Sequence, residues 1–514
     1  MSYLKNICSL PMVAVLMTAA IVGCSGGDDG PDYNPLIDDP QPPVEKPDEP
    51  SGGSSERTEQ YRPQIHFTPA RNWMNDPNGM VYADGQYHLF YQYNPQGNDW
   101  GNMSWGHAIS KDLMHWSEQA VAMTRDELGD IFSGSAVIDK DNTAGFGANA
   151  MIALYTSATN VQQQSLAYST DGGKNFTKYS ANPVIKNNDD NLRDPKVFWH
   201  AESKKWVMAL AKGWKMGVEL YGSTDLKNWQ HLSTFFKALP GRPSLQWECP
   251  DLMPFEVNGT KKWVLLVSVN PGGPLVGSGT MYFVGDFDGT TFTADERNYP
   301  LWMDYGMDNY AGVTWSNTGD RKVLIGWMNN WSYAGAVPCS PWRSAMTLPR
   351  ELNLINTTEG WLLSSKVVKE IDQIAESWQT VNGTFDAGDA YHLQISIPLD
   401  KNVDISLANS ADEHFDLSVN ANGRTLSVKR NAATGQAGFN GSFSIPSMQA
   451  PLNTEGNSVT IDLYVDQSSV EVLTENGLTS ITNLVFPKSI YNQLSISSSD
   501  CKAQVRKLKS IWKY

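Results

Sequence analysis

A five-fold internal repeat constrains this chain more than any other feature. Between about residues 62 and 360 an apolar, strand-like run recurs as YHLFYQY from Tyr87, MIALYTS from Met151, WVMALAK from Trp206, WVLLVSV from Trp263 and KVLIGWM from Lys322, at intervals of 64, 55, 57 and 59 residues. The first four runs are each followed by an acidic turn residue four or five places before an aromatic: Asp112 and Trp116, Asp171 and Phe176, Asp225 and Trp229, Asp288 and Phe292. The fifth unit lacks this signature, as a ring-closing repeat can. A period of this length, filled with short strands and turns, fits one propeller blade of roughly four strands. The predicted fold class is all-β: a five-bladed β-propeller over 61–362, with a long β-sandwich as the alternative.

A polar cluster precedes each apolar run in the same rhythm: WMNDPNG (Asp76), IFSGS (Ser133), LRDPKVF (Asp194), QWECPDL (Glu248) and MDYGMDNYA (Asp304), spaced by 57, 61, 54 and 56 residues. Read alone, Asn-Asp-Pro-Asn-Gly is a turn, because Pro fixes φ and Asn and Gly accept positive φ. The shared period argues otherwise. It puts each cluster at the start of an innermost strand, and five such strands converge on one axial funnel. Asp76, Asp194 and Glu248 would then crowd three acids together, so that one holds a proton near neutral pH and the others need a counter-charge, for which Arg193 is the nearest candidate. One protonated acid beside one carboxylate is the equipment of glycoside hydrolysis. A hard cation is the competing use, but the acids come from three different blades without the dense Asp/Asn spacing of a calcium loop. No metal and no cofactor are expected.

The net charge of −16 argues against a nucleic-acid partner, which requires a basic face. At the N-terminus, Lys5 precedes a short apolar run, Leu10 to Val22, and then IVGCSGG. This resembles the lipobox of bacterial lipoproteins, with 1–23 as signal peptide and Cys24 as the lipidated residue; a cleaved secretory signal with an incidental cysteine is the alternative. Ser25 to Gln60 carries seven prolines and ten acidic residues, so 24–60 is expected to be a disordered tether. The expected location is the outer membrane at the cell surface, with the periplasmic face as the alternative and other outer-membrane glycan-uptake proteins as partners. Of the other cysteines, Cys8 lies in the signal, and Cys249, Cys339 and Cys501 suggest no disulfide framework. The texture changes to alternating strands from about 380, with hairpin turns at NANG and TENG, which predicts a β-sandwich over 381–514. The helix-like KVVKEIDQIAESW is expected to bridge the domains, within a linker at 363–380.

WMNDPNG, RDP and EC, in this order and at these separations, resemble the β-fructosidases of glycoside hydrolase family 32: invertases, inulinases and levanases. YQYNP, WGNMSWGHA, FSGS, DYGMDNYA and GWMNNW extend the likeness across the first domain, and VDQSSVEVL with ITNLVFP resembles the family's C-terminal module. Gln467 and Leu473 stand where the family usually has arginine and phenylalanine, which puts a sugar-binding role of that module in doubt. The resemblance implies a retaining hydrolase of fructans or sucrose with Asp76 as nucleophile, Asp194 as transition-state stabiliser and Glu248 as acid/base. It places fructose against Asn75, Gln92, Trp100, Phe132, Ser133, Arg193, Asp304 and Trp327. A non-catalytic fructan-binding lipoprotein and a fructosyltransferase are the rival readings. Segments 96–105 and 270–279 are expected at the funnel rim. A blind funnel predicts chain-end attack that frees fructose from the outset.

Overall fold

The computed structural model of the chain describes residues 57–187, 191–239 and 245–512. Each apolar run of the repeat is the second strand of an antiparallel blade, and the innermost strands are Asn72–Ala83, Asp130–Asp139, Leu192–His200, Trp247–Val257 and Tyr310–Thr314. Neighbouring innermost strands pack side by side around the axis, and the fifth closes against the first. The propeller therefore has the five blades that the repeat implies.

The second strands are apolar on both faces because each lies between two other blades. In the third blade Trp206, Met208 and Leu210 pack with Ile152 and Leu154 of the second, while Val207 and Ala209 pack with Trp247 and Leu265 of the fourth. A strand buried on both faces reads as a continuous apolar run rather than an alternating one. The repeated aspartate is a turn device. Asp112 Oδ1 accepts from the backbone N–H groups of Met114 and His115, Asp225 Oδ1 from Lys227 and Asn228, and Asp288 Oδ1 from Thr290 and Thr291. Such an Asx turn folds the chain between the third and fourth strands. The fifth blade is built differently. After Val323–Met328 the chain makes an excursion through Trp342–Arg343, which pairs in parallel with Asn72 and Trp73 of the first blade, before returning as Arg350–Thr357 and Gly360–Val367. The missing signature reflects this detour.

The C-terminal domain is a sandwich of two six-stranded sheets around one apolar core. Boundaries shift modestly from those read in the sequence. The outer strand of the fifth blade runs to Val367, into the expected linker, because Gly360–Val367 pairs along its length with Arg350–Thr357. The helix-like segment contains only a 3-10 turn, Lys369–Gln373. Val368, Ile371 and Ile374, three residues apart, are all buried, a spacing that suits three residues per turn. Arg57, placed in the expected tether, is also buried, its guanidinium 3.8 Å over the Trp512 ring. The run at Leu10 to Val22, Cys24 and the tether up to residue 56 lie outside the described residues. Among the described residues no helix is long and apolar enough to cross a membrane.

The two domains meet through a buried ionic network. Arg350 of the fifth blade binds Glu471 of the sandwich, and His66 bridges Asp466 at 2.7 Å and Glu471 at 2.9 Å. Nearby, Arg430 of the sandwich pairs with Asp308 of the propeller. Burial alone would push Glu471 up, but Arg350 and His66 hold it down at about 2. Burial likewise works against the His66 cation, yet Asp466 and Glu471 raise it to about 9. Asp466 and Glu471 both come from the VDQSSVEVL motif, so that motif fastens the domains together.

Candidate active site

The same irregularity interrupts all five innermost strands near their starts. Two residues oppose one on the second strand at Asn75–Asp76, Phe132–Ser133, Asp194–Pro195, Cys249–Pro250 and Ala311–Gly312. Bulges of this kind re-aim side chains and are common beside active sites. In the last three blades the first bulge residue is left-handed, with φ of +62° at Asp194, +46° at Cys249 and +53° at Ala311. Non-glycine residues seldom adopt this conformation unless their surroundings enforce it.

These bulges bring Asp76, Asp194 and Glu248 together. Asp76 accepts hydrogen bonds from Asn75 Nδ2 and Ser133 Oγ, both at 3.0 Å, and from Cys249 Sγ at 3.5 Å. Asp194 accepts from the Cys249 backbone N–H at 3.0 Å and its own N–H donates to Thr156 Oγ1 at 3.0 Å. Glu248 binds Arg193 Nη1 at 3.0 Å through one oxygen and the Tyr310 hydroxyl through the other. Turned with its oxygen to the guanidinium, the Gln246 amide accepts from Arg193 Nη2 at 2.7 Å. Arg193, Glu248 and Tyr310 each immediately precede a bulge in successive blades, so equivalent positions form one hydrogen-bonded chain.

All three acids are pushed above the usual carboxylate range, chiefly by burial. Asp194 rises to about 7, because burial, with the charges of Glu248 and Asp76 added to it, outweighs the opposing pull of Arg193. Glu248 rises through burial and the charge of Asp76, against Arg193 and the Tyr310 hydrogen bond. Acids coupled this closely titrate as a set and keep a proton between them toward neutral pH. Arg193 departs from its expected pairing: its direct partner is Glu248, one blade away, rather than its neighbour Asp194.

Most other sequence-predicted residues gather here. Gln92 lies opposite the Asn75–Asp76 bulge and donates to the Ile131 carbonyl at 3.0 Å, and Trp100 meets Phe132 edge to face at 6.2 Å. Two do not serve as expected. Asp304 is enclosed at the domain interface, where its carboxylate takes Arg350 at 3.2 Å and the hydroxyls of Ser480 and Thr482 at 2.6 Å. Gly306 N–H and Asn309 Nδ2 of its own segment also donate to it, and Tyr310 occupies the fifth blade's place in the funnel. Trp327 is fully buried, donates to the Met74 carbonyl at 3.1 Å and backs the half-buried Trp331, whose ring centroid is 4.9 Å away. Trp331, which also stacks on Trp73, is the indole of GWMNNW that stays partly exposed. Tyr310, Cys249 and Trp331 are not among the site residues read from the sequence, although each lies inside a quoted motif.

Below the acids the axis is closed by Lys196, which pairs with Asp251 at 3.0 Å and donates to the Thr314 carbonyl. A cavity of about 550 Å³ opens at the opposite end of the propeller, lined by the far halves of the innermost strands and by Trp199. The Lys196–Asp251 plug stands between it and the carboxylates.

The model of the glycosyl hydrolases family 32 N-terminal domain matches residues 66–365, and that of the family's C-terminal domain matches 362–513. A levanase of Bacillus subtilis is 42% identical over 496 residues, covering 89% of this chain and 72% of its own. An extracellular exo-inulinase of Aspergillus awamori is 37% identical over 524 residues, covering 88% of this chain and 95% of its own. A crystal structure of exo-inulinase from that fungus superposes with a TM-score of 0.83 at 36% identity, over 89% of this chain and 100% of that one. With two family models spanning propeller and sandwich alike, this chain belongs to glycosyl hydrolase family 32.

Proposed function

We propose that the chain is a retaining β-fructosidase whose nucleophile is Asp76, whose acid/base is Glu248 and whose transition-state stabiliser is Asp194. The observation that carries this reading is the convergence of three acids, buried Asp194 with half-buried Asp76 and Glu248, at equivalent strand bulges, within a family whose levanase, exo-inulinase and invertase members cleave β-fructofuranosidic bonds. Asp76, oriented by Asn75 and Ser133, attacks the anomeric carbon while Glu248 donates its proton to the leaving oxygen, and Glu248 then activates the water that frees fructose. Asp194, anchored by the Cys249 N–H, hydrogen-bonds ring hydroxyls more strongly as positive charge develops, which favours the transition state over the ground state. Asn75, Gln92, Trp100, Phe132, Ser133 and Arg193 surround the fructosyl unit, and Trp331, backed by Trp327, supplies an apolar wall.

The substrate is fructan or sucrose. The closed axis below the acids supports attack at a chain end, with free fructose released from the start. Lipidation of Cys24 and an outer-membrane, surface location complete the proposal: a tethered enzyme gains most from a polymer too large to import. Incubation with levan, inulin and sucrose tests the function, and reducing sugar is expected from at least one. None from any of the three leaves only a binding protein. For the anchor, Cys24→Ala is expected to release a soluble, active enzyme from the membrane fraction; equal membrane association of both forms removes the lipid.

A further inference from the structure

Under the proposed function the three acids act on a single fructosyl unit, yet the protein also exposes an apolar strip near them. Five large hydrophobic side chains stand out among the described residues: Trp199, Trp214, Phe236, Leu275 and Val276, at 43%, 52%, 56%, 39% and 46% exposure. Trp199 belongs to the opposite end of the propeller. The other four sit on the catalytic face of the third and fourth blades. Trp214 lies in the 3-10 turn Gly213–Lys215, which follows the strand pairing Lys212 with Leu192, and the Gly213 N–H donates to the Asn191 carbonyl at 3.1 Å. Phe236 ends the outer strand of the same blade, drawn to the same end by pairing with Gly217. Leu275 and Val276 lie in the connection that starts where the Asn270 N–H meets the Gln246 carbonyl at 3.2 Å. That connection reaches Trp331, whose backbone N–H donates to Ser278 Oγ at 3.1 Å.

The ring order gives this strip a direction. The innermost strand of the first blade, which carries Asp76, has those of the second and fifth as its neighbours, so the third and fourth blades stand across the funnel. Glu248 belongs to the fourth. A proton donor sits on the leaving-group side of the scissile bond, opposite the nucleophile. The rest of a fructan chain therefore leaves the pocket over the rims of the third and fourth blades, where the four apolar side chains are. A neutral polyol offers C–H faces to aromatic rings without requiring charge, and exposed apolar patches of this kind mark binding surfaces.

We propose that Trp214 and Phe236, flanked by Leu275 and Val276, form a platform for the fructosyl units beyond the cleaved bond, which makes the enzyme prefer a polymer to sucrose. This rests on Glu248 being the acid/base. The test compares kcat/KM on levan, inulin and sucrose for wild type, Trp214→Ala, Phe236→Ala and Trp199→Ala, with melting temperatures alongside. Trp214→Ala and Phe236→Ala are each expected to lower kcat/KM on at least one polymer by about tenfold relative to sucrose, mostly through KM. Trp199→Ala is expected to change neither. Equal losses on polymer and sucrose, or no loss on any polymer, overturn the platform. Should Trp214→Ala melt early, Trp214→Phe is expected to restore the polymer preference, as Phe236→Tyr is for Phe236→Ala, and a melting defect that survives without selective polymer loss also overturns it. Absence of all hydrolysis in wild type would instead count against the function.

Discussion

Two clusters of charge, the catalytic funnel and the domain interface, use the same residue types to opposite ends. At the interface Arg350, His66 and Arg430 face Glu471, Asp466, Asp304 and Asp308, and the charged forms of Glu471 and His66 are favoured, at about 2 and about 9. In the funnel three acids share one guanidinium, and the charged forms are opposed: Asp194 sits at about 7. Paired charges hold two domains in register. Underpaired acids keep a proton ready for transfer and are strained by their own proximity, the pattern expected where environment tunes reactivity. The difference lies in the count of cations, although the interface groups are also the more deeply enclosed.

Substitutions can separate the two clusters. Glu248→Gln is expected to lose turnover by about 10³-fold or more with no loss of melting temperature, because it removes a crowded charge. Glu248→Ala is expected to recover part of its rate with azide on a substrate carrying a good leaving group. Arg350→Ala is expected to do the reverse, destabilising the fold by about 3–5 kcal/mol because it strands Asp304 without its cation and leaves Glu471 with His66 alone, while molecules that remain folded keep their turnover. A variant of either kind that damages both properties equally breaks the contrast.

Stability against pH should divide in the same way. His66, raised above its ordinary 6.5, stabilises fully below that value and loses its contribution as pH climbs through 9. Glu471, depressed from 4.5, stabilises fully above that value and loses its contribution as pH falls through 2. Asp194 behaves oppositely to Glu471: raised from 3.8 to about 7, it costs stability progressively as pH rises between those values. Chemical denaturation across pH should therefore find Asp194→Asn more stable than wild type at pH 7 and little different below about pH 4. A stability gap that does not vary with pH contradicts this assignment.

The smallest expected effect is that of Tyr310→Phe. The Tyr310 hydroxyl favours ionised Glu248, so its loss raises that group further and moves the alkaline limb of the rate profile to higher pH, with about a tenfold loss at the optimum. An unmoved limb leaves Tyr310 with a packing role alone.

Much of this was legible in the sequence because a propeller repeats its physics. Runs sandwiched between blades stay apolar on both faces, Asx turns recur, and Asp76, Asp194 and Glu248 recur with the bulges. Asp304 misled because its 56-residue interval fits the period, whereas the bulge of the fifth blade falls later, at Ala311–Gly312. Counting from Glu248, which immediately precedes its bulge, to the residue that precedes the next would have found Tyr310. The pairing of Arg193 with Glu248 was hidden for another reason: adjacency along the chain suggested Asp194, but a bulge turns neighbouring side chains to different partners. Nothing local in VDQSSVEVL announced that its two acids reach His66, some four hundred residues away along the chain.

Turnover of the full-length Asp76→Asn protein on levan, inulin and sucrose, at the pH where wild type is fastest, tests the central claim most directly. The funnel account expects a loss of about 10³-fold or more in a protein that melts no earlier than wild type, because the substitution removes the nucleophile while easing the repulsion around it. Activity within about tenfold of wild type would contradict it.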